Sequence, residues 1–153
     1  MNRITLTLCL GLLISSASSA QTQFITATFF PADIAVGQSS DLAISYSATD
    51  SALLPGIGLR VHFNSSELRV GEPSQVLSAG MQAHQLKDDL ADYDNDLATD
   101  KYFLIAWADL STDGWPLDVA FPAPLAQLPF TALNDFDGAS INFSASALAY
   151  GYS

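Results

Sequence analysis

GIGLRVHF, residues 56–63, is the stretch that decides the fold. Every second residue in it is apolar: Ile57, Leu59, Val61 and Phe63. A period of two places these side chains on one face of a β-strand. Arg60 and His62 take the other face, which we expect to be exposed to solvent. The stretch therefore predicts a half-buried strand.

The same period of two recurs along the chain. It is clear in DLAISYSA (41–48) and in SINFSASALAY (140–150), and TQFITATFF (22–30) and LAQLPFTAL (125–133) predict two more strands. YFLIAWAD (102–109) is apolar on both faces, which predicts a central strand.

Turn-forming residues separate these stretches, for example Asp113-Gly114 and Asp137-Gly138. Short alternating strands between such turns predict an all-β fold, an antiparallel β-sandwich. Two places break the pattern. Residues 76–87 are expected to form a short helix or an irregular loop, and Pro129 inside a strand pattern predicts an edge strand or a bulge.

The beginning of the chain differs from the rest. Arg3 gives it a positive start, residues 4–14 (ITLTLCLGLLI) form an apolar run, and small residues lead to a cleavage point after Ala20. This pattern predicts a secretory signal peptide at residues 1–20 and one mature domain at residues 21–153. The apolar run is short for a bilayer span, so we expect a secreted mature chain without one, extracellular or periplasmic.

Composition and charge restrict the classes of partner. The single cysteine, Cys9, lies in the signal peptide, so no disulfide stabilises the mature domain. The formal charge is −11 for the whole chain and −12 once Arg3 is removed. Such a surface repels nucleic acid and anionic membranes, and it suits cations, basic partners or neutral ligands such as glycans.

The order of the strand patterns resembles that of bacterial cohesin-like domains. Residues 36–44 (VGQSSDLAI) are similar to the opening Gly-Asp-x-Val-x-Val strand of that family. Residues 56–68 (GIGLRVHFNSSEL) resemble its next strand, with Phe63 and Asn64 in place of a Tyr-Asp pair. Weaker similarities, in pattern rather than in a signature motif, lie at residues 76–80, 105–109, 125–131 and 141–143.

This resemblance covers most of residues 24–150 and implies a nine-strand jelly-roll sandwich, a fold shared with some cellulose-binding modules. It implies a role in extracellular adhesion or polysaccharide-related assembly, typically with a dockerin module as the partner. Because fold alone does not supply function, a carbohydrate-binding module acting on extracellular polysaccharide stays open as the alternative. The sequence has no Ser-His-Asp order, nucleophile elbow or phosphate loop, so we do not expect an enzyme.

DDLADYDNDLATD, residues 88–100, contains six aspartates and is called the acidic segment below. Ca²⁺ takes about six to eight oxygen ligands, mostly from carboxylates and carbonyls. We predict a Ca²⁺ site formed by Asp92, Asp94, Asp96 and Asp100. The segment is not an EF-hand, because the required glycine and the final glutamate are absent. The alternative is a solvated acidic loop.

Exposed aromatic rings are platforms on which sugar rings stack, and the candidates are Tyr46, Tyr93, Tyr102, Trp107 and Trp115. Trp107 lies in an apolar strand and is expected in the core. Trp115, in a turn, and Tyr93, in the acidic segment, are the predicted ligand-binding residues. The two histidines, His62 and His84, have no nearby Cys or Glu motif, so we expect neither zinc binding nor catalysis from them.

Overall fold

A computed structural model describes residues 23–48, 56–73, 75–76, 82–108, 120–134, 136 and 138–146, and their side chains except those of 23, 75–76, 82–84 and 107–108. These ranges contain nine strands: β1 (Gln23–Phe30), β2 (Ser39–Ala48), β3 (Gly56–Phe63), β4 (Leu68–Val70), β5 (Gln75–Val76), β6 (Gln82–Asp88), β7 (Lys101–Ala108), β8 (Ala123–Ala132) and β9 (Asn142–Ala145). The described part of the chain holds no helix of the length and apolarity that a membrane span requires. The predicted signal peptide lies outside the described residues.

The strands form two antiparallel sheets. One has the order β1-β2-β8-β4, with β5 also paired to β8, and the other has the order β6-β7-β3-β9. The predicted all-β, antiparallel sandwich is confirmed, and β3 has the predicted bounds. The prediction that the apolar stretch after the acidic segment forms a central strand is also confirmed, because β7 lies between β6 and β3.

The core lies between the two sheets and is built from the alternating apolar residues. The five-stranded sheet supplies Leu42, Ile44, Tyr46, Leu125, Leu128 and Phe130, and the four-stranded sheet supplies Ile57, Leu59, Val61, Phe63, Phe103 and Ile105. Phe63 and Phe130 join the sheets through an edge-to-face contact, with ring centroids 5.4 Å apart. Burying one side chain of this size contributes about 1.5–3 kcal/mol.

The two sides of the four-stranded sheet face different surroundings. We call the side that packs on the core the inner face and the opposite side the outer face. Directly paired residues of antiparallel strands lie on the same face. Because His62 pairs with Tyr102 of β7 and with Asn142 of β9, these three side chains share the outer face.

The prediction of a short helix or irregular loop at residues 76–87 was wrong for residues 82–87, which belong to β6, whereas residues 77–81 lie outside the described residues. Its pairing with β7 shifts register between Ala83 and Leu86, and Gln85 has a φ of 109°. An extra residue in one strand of a pair breaks the alternation of side chains. Because of the bulge, β6 does not show a period of two in the sequence and was not predicted as a strand.

The edge position predicted from Pro129 was also wrong, because β8 pairs with β2 on one side and with β4 and β5 on the other. The alternative, a bulge, does not lie at Pro129 in the pairing with β2, where the register shifts at Ile44 and Ser45 instead. The carbonyl of Pro129 accepts a hydrogen bond from the N–H of Gly71, 2.8 Å away, in the connection between β4 and β5. In a strand, a residue's nitrogen and carbonyl point to the same side. The side of Pro129 that lacks an N–H therefore faces the connection between β4 and β5, where no strand is paired to it. For this reason an interior strand tolerates the proline.

Candidate functional site

The acidic segment forms a compact turn between β6 and β7. Its base is closed by the Asp89 N–H, which donates to the Asp100 carbonyl at 2.8 Å. Asp92 and Asn95 have φ values of 50° and 58°. Asp and Asn adopt this left-handed conformation more readily than other non-glycine residues. The local sequence thus favours a tightly folded connection rather than an extended loop.

This turn packs onto the outer face of the sheet. The guanidinium carbon of Arg60 lies 3.9 Å from the centroid of the Tyr93 ring, and Tyr93 meets Tyr102 edge to face at 6.0 Å. The prediction that His62 is exposed was wrong, because its exposed fraction is 0%. The alternating pattern assigns His62 to the correct face, but the acidic segment covers that face.

His62 connects three parts of the chain. Its Nδ1 lies 2.8 Å from Asp89 Oδ2, and its Nε2 lies 2.7 Å from Ser144 Oγ on β9. A third polar atom, Asp94 Oδ1, lies 3.7 Å from Nδ1. The imidazole therefore links β3 to β9 and to the acidic segment.

Asp94 has one anchored carboxylate oxygen and one without a partner. Its Oδ2 accepts hydrogen bonds from Thr99 Oγ1 at 2.9 Å and from Asn142 Nδ2 at 3.0 Å. Its Oδ1 is buried and has no hydrogen-bond partner among the described residues. Burial raises the pKa of Asp94, but the hydrogen bonds from Asn142 and Thr99 and the charge of His62 outweigh it, so the pKa lies below its usual value.

Asp89 forms a cluster with His62 and Asp94 that was not predicted from the sequence. Its Oδ1 accepts the Tyr93 N–H at 3.3 Å, while its Oδ2 faces His62. One donor atom each from His62, Asp89 and Asp94 lies within 4.8 Å of the other two. The side chains are 0%, 0% and 2% exposed, respectively. We call these three residues the buried His-Asp-Asp cluster.

The four predicted Ca²⁺ ligands have different neighbours. Asp96 Oδ2 accepts a hydrogen bond from Asn142 at 2.8 Å, so Asp94 and Asp96 share this amide. Asp92 Oδ1 is buried without a hydrogen-bond partner among the described residues. Ca²⁺ binding by these aspartates stays a prediction.

Asp100, the fourth of them, is directed to the turn after β3. Its carboxylate accepts hydrogen bonds from the N–H and the hydroxyl of Ser65, both at 2.6 Å. Burial raises the pKa of Asp100, but these two hydrogen bonds and the nearby charge of Lys101 outweigh it and lower the pKa below its usual value.

Among the described residues, the aromatic candidates for sugar binding do not form a row of exposed rings, although Tyr93 and Tyr102 are in contact. Tyr46 and Tyr102 are buried, whereas Tyr93 is 48% exposed and carries Arg60 over its ring. Trp115 lies outside the described residues, and so does the side chain of Trp107.

Sequence reasoning missed the roles of His62, Asp89, Asn142 and Ser144. One signal was available: the acidic segment leads directly into β7, which pairs with β3 beside His62. A polar connection next to a lone histidine in a strand only weakly indicates a buried polar cluster. The sequence does not show that the connection folds back over the sheet and covers the histidine.

Comparisons with known proteins support the fold. No protein-family model matches the chain, and no curated protein matches it either. A solved structure does match: a chain in the crystal structure of a type II cohesin–X–dockerin complex, an interface mutant from Acetivibrio cellulolyticus. The TM-score is 0.50 at 15% identity, over 82% of this chain and 80% of that one. The chain thus has a cohesin-like fold.

Proposed function

We propose that this protein is a secreted, non-enzymatic binding module that recognises a protein partner in extracellular assembly or adhesion. The observation that carries the proposal is the cohesin-like fold, which recurs in a solved cohesin–dockerin complex. Residues 1–20, with the features of a signal peptide, support secretion. A module of the dockerin type is the partner class that this fold suggests.

The acidic segment is the surface on which we expect part of the partner to dock. Leu90 and Leu97 are 95% and 92% exposed, and both lie among the aspartates. We propose that a partner covers both leucines, because fully burying an exposed leucine side chain is favourable by about 1.5–3 kcal/mol. Such a surface favours a partner that combines apolar side chains with Lys or Arg.

The test is a binding measurement between purified residues 21–153 and a panel of recombinant dockerin modules. We expect at least one module to bind saturably. The double variant L90S/L97S should weaken that binding at least tenfold, because it removes two exposed apolar contacts. Val36→Ser is the matched control, since Val36 is half exposed and lies in the connection between β1 and β2.

Two outcomes would contradict the proposal. One is the absence of binding to every dockerin module of the panel. The other is binding to polysaccharide on a glycan array by a chain that ignores the protein panel, which would favour the carbohydrate-binding alternative. In that case Tyr93→Ala and Trp115→Ala are the variants to examine, because these residues are the predicted sugar contacts.

A further inference from the structure

We propose that the buried His-Asp-Asp cluster binds a divalent transition-metal ion of the Zn²⁺ class. The ligands are His62 Nδ1, Asp89 Oδ2 and Asp94 Oδ1. The proposal concerns this cluster alone and does not depend on the partner-binding function.

Every residue of the cluster uses one polar atom as an anchor and directs the other to the common centre. Ser144 holds the His62 Nε2, the Tyr93 N–H holds Asp89 Oδ1, and Thr99 and Asn142 hold Asp94 Oδ2. Metal ligands in proteins are oriented in this way by outer partners, which fix the ring or carboxylate for the ion. The cluster has such partners on all three ligands.

The unpartnered Asp94 oxygen is an independent indication. The Asp94 side chain is 2% exposed, and its Oδ1 has no hydrogen-bond donor among the described residues. A buried carboxylate oxygen without a partner is costly. This oxygen lies 3.7 Å from His62 Nδ1, so an ion between them would satisfy it.

The donor set selects the class of ion. Ca²⁺ and Mg²⁺ prefer oxygen ligands only, whereas an imidazole nitrogen suits Zn²⁺ and its neighbours in the first transition row. Zn²⁺ binds His nitrogen and carboxylate oxygen at about 2.0–2.2 Å, which places tetrahedral ligands roughly 3.3–3.6 Å apart. The observed separations from Nδ1, 2.8 Å to Asp89 and 3.7 Å to Asp94, lie on either side of this range.

The tautomer of His62 can adapt to an ion. Nδ1 must present its lone pair to a metal, so Nε2 then carries the proton. Ser144 Oγ, 2.7 Å from Nε2, accepts that proton's hydrogen bond as readily as it donates one, because a hydroxyl does both. Metal binding at Nδ1 therefore requires the tautomer with its hydrogen on Nε2, and Ser144 Oγ can accept the hydrogen bond of that N–H.

A bound ion would fasten the acidic segment to the sheet. Asp89 and Asp94 belong to the segment, whereas His62 belongs to β3. The ion would also neutralise two buried carboxylates. We expect binding to stabilise the whole domain, because a preformed site of this kind is lost on unfolding.

The experiment measures thermal unfolding of untagged residues 21–153 with Zn²⁺, with Ca²⁺ and with chelator. Zn²⁺ at about 100-fold above its Kd should raise the midpoint by about 10 °C, and chelator should reverse the rise. Asp89→Asn and Asp94→Asn should abolish the response. Asp88→Asn is the matched control, because Asp88 lies next to the cluster in sequence but its side chain is exposed.

A second measurement keeps the proposal testable if those variants fail to fold. In the His84→Gln variant, His62 is the remaining histidine, so the ring ¹⁵N spectrum reports on it alone. Zn²⁺ should convert its Nδ1 resonance to that of a metal-bound nitrogen.

Three results would overturn the proposal. They are an unchanged midpoint with Zn²⁺, an unchanged His62 ring spectrum, and a Zn²⁺ response that survives in a folded Asp94→Asn variant. A midpoint raised by Ca²⁺ and not by Zn²⁺, and lost in Asp96→Asn, would also overturn it and would favour the predicted Ca²⁺ site. Partner binding can fail or succeed independently in all these cases.

Discussion

The two faces of β3 are both buried, but by different means. On the inner face, Val61 and Phe63 pack against apolar side chains of the opposite sheet. On the outer face, His62 is buried by the acidic segment and held by Asp89 and Ser144. Apolar burial is non-directional and tolerates adjustment, whereas buried polar groups require specific partners. The comparison predicts that the inner face determines global stability and the outer face fixes one connection.

Phe63→Ala tests the inner face and should have the largest effect. Phe63 is 1% exposed and contacts Phe130, so its truncation leaves a cavity between the sheets. We expect a loss of about 4 kcal/mol in the free energy of unfolding, within the usual range for buried Phe→Ala changes. Urea unfolding measures it. A loss below about 1 kcal/mol would mean that this contact is not part of a tightly packed core.

His62→Ala tests the outer face. Removing the imidazole leaves Asp89 Oδ2 buried without its hydrogen-bond partner and takes the His62 ring away from Asp94. Removing one member of a buried pair typically costs about 3–5 kcal/mol, and we expect about 3 because the acidic segment can move toward solvent. Urea unfolding in chelator gives the value without any contribution from bound metal.

A double-mutant cycle checks the cause of that loss. His62→Ala combined with Asp89→Ala should be less damaging than the sum of the two single changes, because each single change leaves the other group unpaired. Strict additivity would mean that the His62–Asp89 contact does not couple the segment to β3.

The inner face was predictable from sequence because apolar alternation reports it directly. Ile57, Leu59, Val61 and Phe63 follow a period of two, and the bounds of β3 come from the same pattern. The bulge at Gln85 and the interrupted partner of Pro129 were not predictable, since both depend on pairing with a distant strand.

The outer face was not predictable for a related reason. His62 has the sequence environment of a solvent-facing residue, and its burial results from a segment that begins 26 residues later, at Asp88. The sequence singled out the acidic segment but not the side chains that it contacts in the structure. Asn142 and Ser144 lie in β9, and only the strand order places them beside Asp94 and His62.

Ser65→Ala should have a smaller effect. Its hydroxyl donates one of the two hydrogen bonds that Asp100 accepts from Ser65, and the backbone bond remains. We expect a loss of about 1 kcal/mol, the usual value for one hydrogen bond. Amide hydrogen exchange should show faster exchange in the acidic segment than in β3. Equal acceleration in both would mean that the segment opens only with the whole domain.

The decrease in the free energy of unfolding at acidic pH should depend on Asp94 and Asp100. The pKa of each carboxyl lies below the usual value of 3.8 in the folded protein. The unfolded chain therefore binds these protons more readily, so this contribution is present above about pH 4 and is lost as the pH falls further. Asp100→Asn should lower stability at neutral pH and flatten the decline below pH 4. An unchanged slope would mean that other carboxyls control acid unfolding.

Lys101→Met should have the smallest effect, although it breaks the shortest ion pair at this end of the described sheet. Lys101 Nζ lies 2.6 Å from Asp88 Oδ1, which raises the pKa of the lysine through a hydrogen bond and an opposite charge. Both side chains reach solvent, and such pairs contribute little because water screens them. The unfolding midpoint should stay within error at low and at high salt. A clear fall at low salt alone would show that repulsion within the acidic segment needs this lysine, and charge as well as hydrogen bonding would then hold the outer face closed.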